Sequence, residues 1–119
     1  MVKDEDIAWV AGIFEGEGTV ELKHFADRNG YKCQVSITNK DISLLKAVQK
    51  ICGAGDIYTN GHPDEYKWQI QRRGEARKFL LGILPYMKSD YKKHQVENWL
   101  YVDDVEKPVR NIPERWQLW

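Results

Sequence analysis

Trp9-Val10-Ala11-Gly12-Ile13-Phe14-Glu15-Gly16-Glu17-Gly18-Thr19-Val20 is an apolar run with two glycines four apart, closed by two glutamates set between glycines. Together with Ile7, its apolar residues Trp9, Val10, Ile13 and Phe14 fit a helix that opens on acids, with Asp4 or Asp6 able to cap it, and runs to about Glu15. Carboxylates at its end face the negative pole of the helix macrodipole, an unfavourable position unless a cation lies nearby. Ala11, Gly12 and Gly16 leave one helix face almost without side chains, so a second backbone can approach closely there. A short amphipathic helix running into a glycine-rich hairpin, with the glutamates merely solvated, has the same pattern.

Beyond Gly18 the period changes from helical to alternating. Thr19 to Phe25 sets Val20 and Leu22 against Glu21, Lys23 and Phe25, a half-buried strand. Asp27-Arg28-Asn29-Gly30 is a hairpin turn, Asn-Gly being the strongest short signal for one. The returning strand, Tyr31 to Thr38, places Tyr31, Cys33, Val35 and Ile37 opposite a polar face of Lys32, Gln34, Ser36 and Thr38. Asp41 caps a second helix in which Ile42, Leu45, Val48 and Ile51 or Cys52 recur at helical spacing up to Gly53, with Lys46 and Lys50 on its outer side.

A second hairpin spans Asp56 to Asn60 and Glu65 to Arg72, joined through Gly61-His62-Pro63-Asp64, with Tyr66, Trp68 and Ile70 alternating with Lys67, Gln69 and Gln71. A third helix, Glu75 to about Leu84, packs Ala76, Phe79, Leu80 and Ile83 and stops at Pro85. Ser89 or Asp90 caps a fourth, to about Val102, packing Tyr91, Val96, Trp99 and Leu100. From Asp103 the pattern dissolves, Pro108 and Pro113 exclude a long helix, and Trp116 and Trp119 are expected against the body or a partner chain. The expectation is an α+β domain over residues 1–102 with a C-terminal tail over 103–119.

A length of 119 residues suits one domain, and 42% hydrophobic with 30% charged residues is ordinary for a soluble globular protein. No apolar run approaches the roughly 20 residues of a membrane span. The acidic start Lys3-Asp4-Glu5-Asp6 is not a signal peptide, so an intracellular protein with no membrane partner is expected. Cys33 and Cys52 lack CxxC spacing and a neighbouring histidine, which points to buried thiols rather than a zinc site or disulfide. His24, His62 and His94 show no HNH or HxxxH spacing, and no phosphate-loop or nucleophile motif indicates a small-molecule substrate.

A formal net charge of zero speaks against a nucleic-acid binder. Its distribution softens that objection. Residues 1–21 hold six acids and one base, a balance of −5, whereas residues 22–102 hold fourteen bases and eight acids, a balance of +6. Affinity for phosphates follows the local potential, which such a segregated chain can supply at one face.

The run from Val10 to Gly18 resembles the nine-residue signature of the LAGLIDADG homing endonucleases: Ala11, Gly12 and Gly18 match outright, and Glu15 and Glu17 stand at its two Asp positions. The likeness covers roughly residues 7–102, since Trp68 to Leu100, with a helix before Leu84-Pro85-Tyr86 and then Lys92-Lys93-His94-Gln95, is similar to the family's second half. It implies an αββαββα unit with a saddle-shaped antiparallel sheet and helices on one face. A single motif copy implies a homodimer, joined through Ala11, Gly12, Ile13 and Gly16. The resemblance puts Glu17 on the metal-binding carboxylate, with Gly16 beside it as a metal-site residue, and Lys92 on the basic active-site position. The spacing from Pro85 to Lys92 is longer than the family's by about two residues, so Lys93 and Lys88 stay open for that role. Asn39, at the end of the second strand, matches the polar water-positioning site, although a strand-end Asn is commonly a turn residue.

Two Glu17 side chains meeting across a helix interface would need divalent cations, and oxygen ligands suit Mg²⁺ or Mn²⁺. Such ions serve phosphodiester hydrolysis. Glu15 lies two residues away and projects elsewhere, into a cap or an outer shell. The hairpins present Glu21, Lys23, Lys32, Gln34, Ser36, Lys67, Gln69 and Gln71 together, as reading a DNA groove requires, and Arg72, Arg73, Lys88 and Lys93 suit phosphates. Each of these alone is also an ordinary solvent-facing position. The expected function is a homodimeric, metal-dependent endonuclease that cuts both strands of a long, near-palindromic site in double-stranded DNA. The alternative is a non-catalytic DNA- or RNA-binding module on the same scaffold, a maturase or regulator. A carboxylate-pair glycosidase fits poorly, because Glu15 and Glu17 are local neighbours.

Overall fold

Gly18, where the sequence changes period, is where helix gives way to sheet in the computed structural model, which describes residues 3–24, 31–59, 61 and 63–105, with the backbone alone at 23–24 and 31–33. The elements are α1 (Asp4–Glu17), β1 (Gly18–His24), β2 (Tyr31–Asn39), α2 (Ile42–Cys52), β3 (Asp56–Thr59), β4 (Tyr66–Ile70), α3 (Arg73–Ile83), a 3-10 turn (Leu84–Tyr86) and α4 (Asp90–Val105). The strands form one antiparallel sheet in the order β1-β2-β4-β3, so the two hairpins meet through β2 and β4. Gly18 stands opposite Ile37, Val35 opposite Ile70 and Ile57 opposite Trp68.

Because side chains alternate along a strand, this register sends Val20, Val35, Ile37, Ile57, Trp68 and Ile70 to one face. Thr19, Glu21, Gln34, Ser36, Thr38, Asp56, Tyr58, Lys67 and Gln69 go to the other. The apolar face packs in a single cluster with Val10, Ala11 and Phe14 of α1, Leu45 and Val48 of α2, Ala76, Phe79, Leu80 and Ile83 of α3, and Val96, Trp99 and Leu100 of α4. All four helices therefore lie on that side. Each large side chain so buried contributes about 1.5–3 kcal/mol of transfer free energy. Phe79 links helix to sheet, with its ring edge-on to Phe14 at 5.4 Å and tilted against Trp68 at 5.2 Å.

The second helix forms as its sequence predicts. Asp41 accepts from the Ser43 hydroxyl, which with the Ser43 amide bond at 2.9 Å holds its carboxyl below the ordinary value, and Gly53 closes the helix in the left-handed conformation at φ 66°. Other boundaries differ. α1 is not capped by Asp4 or Asp6: its N-cap is Lys3, and Asp4 instead bonds the Tyr86 phenol, which desolvation and that bond hold above its ordinary value. α1 also runs to Glu17, two residues past the expected end. α3 begins at Arg73, and Pro85 sits in the first turn of the 3-10 segment, where a missing N–H costs nothing. In the second hairpin β3 is Asp56–Thr59, with Asn60 outside the described residues, and β4, Tyr66–Ile70, is shorter than the expected Glu65 to Arg72.

α4 extends to Val105, past the expected stop near Val102. Asp103, expected to begin the tail, is buried in the helix, where its carboxylate accepts from Arg73 Nε and Arg77 Nη1, both at 2.9 Å. Tyr91, expected to pack, is 74% exposed. The Asp27–Gly30 turn, His62, Trp116 and Trp119 lie outside the described residues. No described helix is long and apolar enough to cross a membrane.

Candidate functional site

α1 ends on two carboxylates and carries no basic residue in its last turn, so its terminal charge must be balanced from elsewhere. The balance comes from α4. Lys92 Nζ donates to the Gly18 carbonyl at 2.7 Å, which brings an ammonium to the end of the motif helix from 74 residues along the chain. Of the three lysines left open by the sequence, Lys92 is the one whose ammonium reaches this point. Lys88 donates through its backbone amide instead, and Lys93 is half-buried on α4.

Glu15 holds the helix that delivers Lys92. Its Oε2 accepts from the Lys88 amide at 2.7 Å and, more closely, from the Ser89 amide, while Ser89 Oγ accepts from the Lys92 amide at 3.3 Å. A carboxylate of α1 thus binds the N–H groups just ahead of α4, where anionic groups are favoured. Glu15 has a structural role here, and the Lys92 backbone is linked to it by two hydrogen bonds through Ser89.

Glu17, the last residue of α1, is exposed, and among the described residues none bonds its carboxylate. Gly18 follows it in a position that admits no side chain, since an added Cβ would collide with the Phe14 ring. The Gly18–Ile37 pairing sets this corner beside the end of β2, where Asn39 lies. Asn39 Oδ1 accepts from the Asp41 amide at 2.8 Å, so its side chain takes part in the turn into α2. Among the described residues no group of three or more His, Cys, Asp or Glu side chains converges on one point.

The outer face of α1 is open. A Cβ added at Gly12 or Gly16 would meet nothing within 4 Å. Ile13 is half-buried beside them, whereas Ala11, expected on this face, is fully buried in the chain's own core because one residue turns a helix by about 100°. Ala8 and Trp9, which the sequence did not single out for this face, take its place, with Trp9 41% exposed.

On the sheet's polar face the expected reading residues divide. Lys67 and Glu21 are half-buried and Gln71 is exposed, whereas Gln34, Ser36 and Gln69 are buried although they point away from the helices. They lie on β2 and β4, the two inner strands, where neighbours on both sides shield them. Gln69 Nε2 donates to Gln34 Oε1 at 3.0 Å and Gln71 Nε2 to Gln69 Oε1 at 3.1 Å, a row the alternation did not foretell. Lys23 and Lys32 are paired in the backbone register of β1 and β2. Arg72 is exposed at the start of α3, Lys88 is exposed ahead of α4, and Arg73 is engaged with Asp103 on the α4 side.

A family model described as LAGLIDADG endonuclease matches residues 10–102. The chain is 23% identical over 113 residues to the intron-encoded DNA endonuclease ai2b of Dictyostelium discoideum, a match that covers 95% of this chain and 39% of that protein. It thus spans about two fifths of the length of this curated relative. The structure is similar to that of the homing endonuclease I-CvuI in complex with its target in the presence of Ca, with a TM-score of 0.76 and 17% identity over 92% of this chain and 74% of the other. It is also similar to the group I intron-encoded homing endonuclease I-CeuI complexed with DNA, with a TM-score of 0.72 and 19% identity over 92% of this chain and 61% of the other. Helices with a four-stranded antiparallel sheet are the fold of these proteins.

Proposed function

The chain belongs to the LAGLIDADG endonuclease family, and from that premise we propose that it is a homodimeric, site-specific DNA endonuclease requiring a divalent cation. Family membership supports DNA cleavage as the general activity, and the solved relatives bound to DNA support DNA as the partner. The observation that carries the reading is local: the Lys92 ammonium is held at the Gly18 carbonyl, next to Glu17, whose carboxylate has no partner among the described residues, at the end of a helix whose outer face is open at Gly12 and Gly16.

Two copies joined along that face bring their Glu17 residues together. Among the described residues no group of three or more ligating side chains converges in one chain, so each copy offers its Glu17 carboxylate and the carbonyls of the helix end, of which the Gly16 oxygen is a candidate ligand. These are hard oxygen donors at the negative pole of a helix, a set that fits Mg²⁺ or Mn²⁺ better than softer metals. When bound there, such an ion supplies Lewis acidity toward a phosphodiester oxygen and a water.

The chain's own residues do the rest. Glu17 holds the cation side of the site, and Lys92, fixed by the Gly18 carbonyl and by α4, presents a positive charge for the phosphoryl oxygens as charge accumulates on them. The polar sheet face meets the groove, with Glu21, Lys67 and Gln71 as exposed or half-exposed readers, and Arg72 and Lys88 as phosphate contacts at the margin. The Asn39 oxygen is tied to the turn, and its NH₂, which bonds none of the described residues, is able to donate to a water beside this corner.

The net charge of zero favours a second reading, in which the same scaffold binds nucleic acid without cutting it. Incubation with a plasmid library carrying random inserts separates the two. A nuclease gives linear DNA with defined ends in Mg²⁺ and none with a chelator, whereas a binder gives shifted bands and no new ends.

A further inference from the structure

Among the described residues Tyr58 is the one large apolar side chain that the sheet's polar face leaves exposed. The other exposed ones, Trp9, Leu81, Tyr91 and Tyr101, stand on helices. β3 is an edge strand, so Tyr58 has a strand neighbour on one side only, Lys67 of β4, and it is 41% exposed. Lys67 is half-buried there, and Asp56, two residues ahead of Tyr58 on the same face, is exposed. A cation and an anion thus lie about an aromatic ring that stands in water, and its burial against a partner's apolar group would be favourable.

We infer that Tyr58 reads thymine, its ring covering the C5-methyl group of one thymine in each half-site when the polar face meets DNA. The inference rests on the proposed reading that this face binds DNA. The major groove admits a two-stranded ribbon such as β3–β4, and the bases present donors and acceptors there with one apolar exception, the thymine methyl. Lys67 suits the acceptors and Asp56 the cytosine donor, which leaves the methyl for the ring. Asp56 also repels phosphates, so this edge of the sheet favours bases over the backbone. Tyrosine suits the task because only two side-chain torsions must be fixed to present a large apolar surface. Covering one methyl group corresponds to about a fourfold gain in affinity.

The test begins with a binding selection from a randomised duplex library in chelator, which supplies a duplex bound by the wild type. Each thymine of that duplex is then replaced in turn by uracil, which pairs alike and lacks only the methyl. Affinities are measured for the wild type, Tyr58→Ser and Tyr58→Phe. The position is exposed on an edge strand, so these substitutions leave the core untouched. For the wild type, one replacement in each half-site weakens binding about fourfold. Tyr58→Ser, which keeps a hydroxyl and loses the ring, binds the thymine and uracil duplexes equally at that position. Tyr58→Phe, which keeps the ring and loses the hydroxyl, retains the fourfold ratio. A substitution that only weakened β3 would lower affinity for both duplexes and leave their ratio unchanged. A ratio retained in Tyr58→Ser, a ratio lost in Tyr58→Phe, or a wild type that distinguishes uracil at no position overturns the role of Tyr58 while leaving DNA binding intact. If the wild type enriches no duplex, the DNA-binding reading itself falls, and the role of Tyr58 with it.

Discussion

Replacing Glu15 with alanine removes a carboxylate that accepts from the amides of Lys88 and Ser89, the two residues ahead of α4. Each is a charge-assisted bond, stronger than one between neutral groups. The Lys88 bond is exposed and the Ser89 bond only partly buried, so water recovers part of the loss. The expected cost is that of losing a good helix N-terminal partner, about 1–2 kcal/mol. For a domain of this size that lowers the melting temperature by about 5–10 °C. Melts should be compared at one protein concentration, because a dimer's melting point depends on it. The same loss frees the first turn of α4, so single-turnover cleavage should fall about tenfold or more through Lys92 while DNA affinity changes little. Glu15→Gln keeps a neutral acceptor and should fall between alanine and wild type. A Glu15→Ala protein that melts within about 1 °C of wild type would refute the account of how α4 is held.

Three further outcomes follow from burial and charge. Asp103→Ala leaves Arg73 and Arg77 without their shared partner; both arginines are about 30% exposed, which screens the loss to about 2 kcal/mol, measurable by denaturant unfolding. Burial pushes the Cys52 thiol from 9.0 up to about 12, so its stabilising contribution is full below pH 9 and is lost as the pH rises toward 12. Cys52→Ala should flatten the stability profile over that range, and in a Cys33→Ser background Cys52 should resist alkylation until the protein is unfolded. Gly16→Leu should leave the folded chain intact, since nothing lies within 4 Å of an added Cβ, and convert dimers to monomers in sedimentation; retained dimers would exclude this face as the interface.

Much of the fold is legible because its signals are local. Asp41 and Gly53 bracket α2, Leu45 and Val48 recur at helical spacing between them, and the alternation around Val35 and Trp68 assigns the sheet's inner face. α1 was harder to orient because apolar residues surround it: Trp9 points out and Ala11 in, and periodicity cannot tell a face buried in the chain's own core from one left for a neighbour. Apart from Lys92, which the resemblance placed in one site with Glu17, contacts between distant segments were not legible. Glu15 meets backbone amides 73 and 74 residues away, and such groups leave no trace in a sequence. Asp103 reads as the start of a tail until Arg73 and Arg77 are seen around it. Gln34 and Gln69 read as solvent-facing, and only the place of β2 and β4 at the middle of the sheet explains why they are buried.

The central claim is that Glu17 holds the cation for DNA cleavage, and it is tested most directly by carrying one selected duplex site through two assays with the wild type and Glu17→Gln. In Mg²⁺ the wild type should cut both strands, and Glu17→Gln should shift the same duplex with similar affinity and produce no ends. Cleavage by Glu17→Gln, or a wild type that binds its site in Mg²⁺ and never cuts it, would contradict the account.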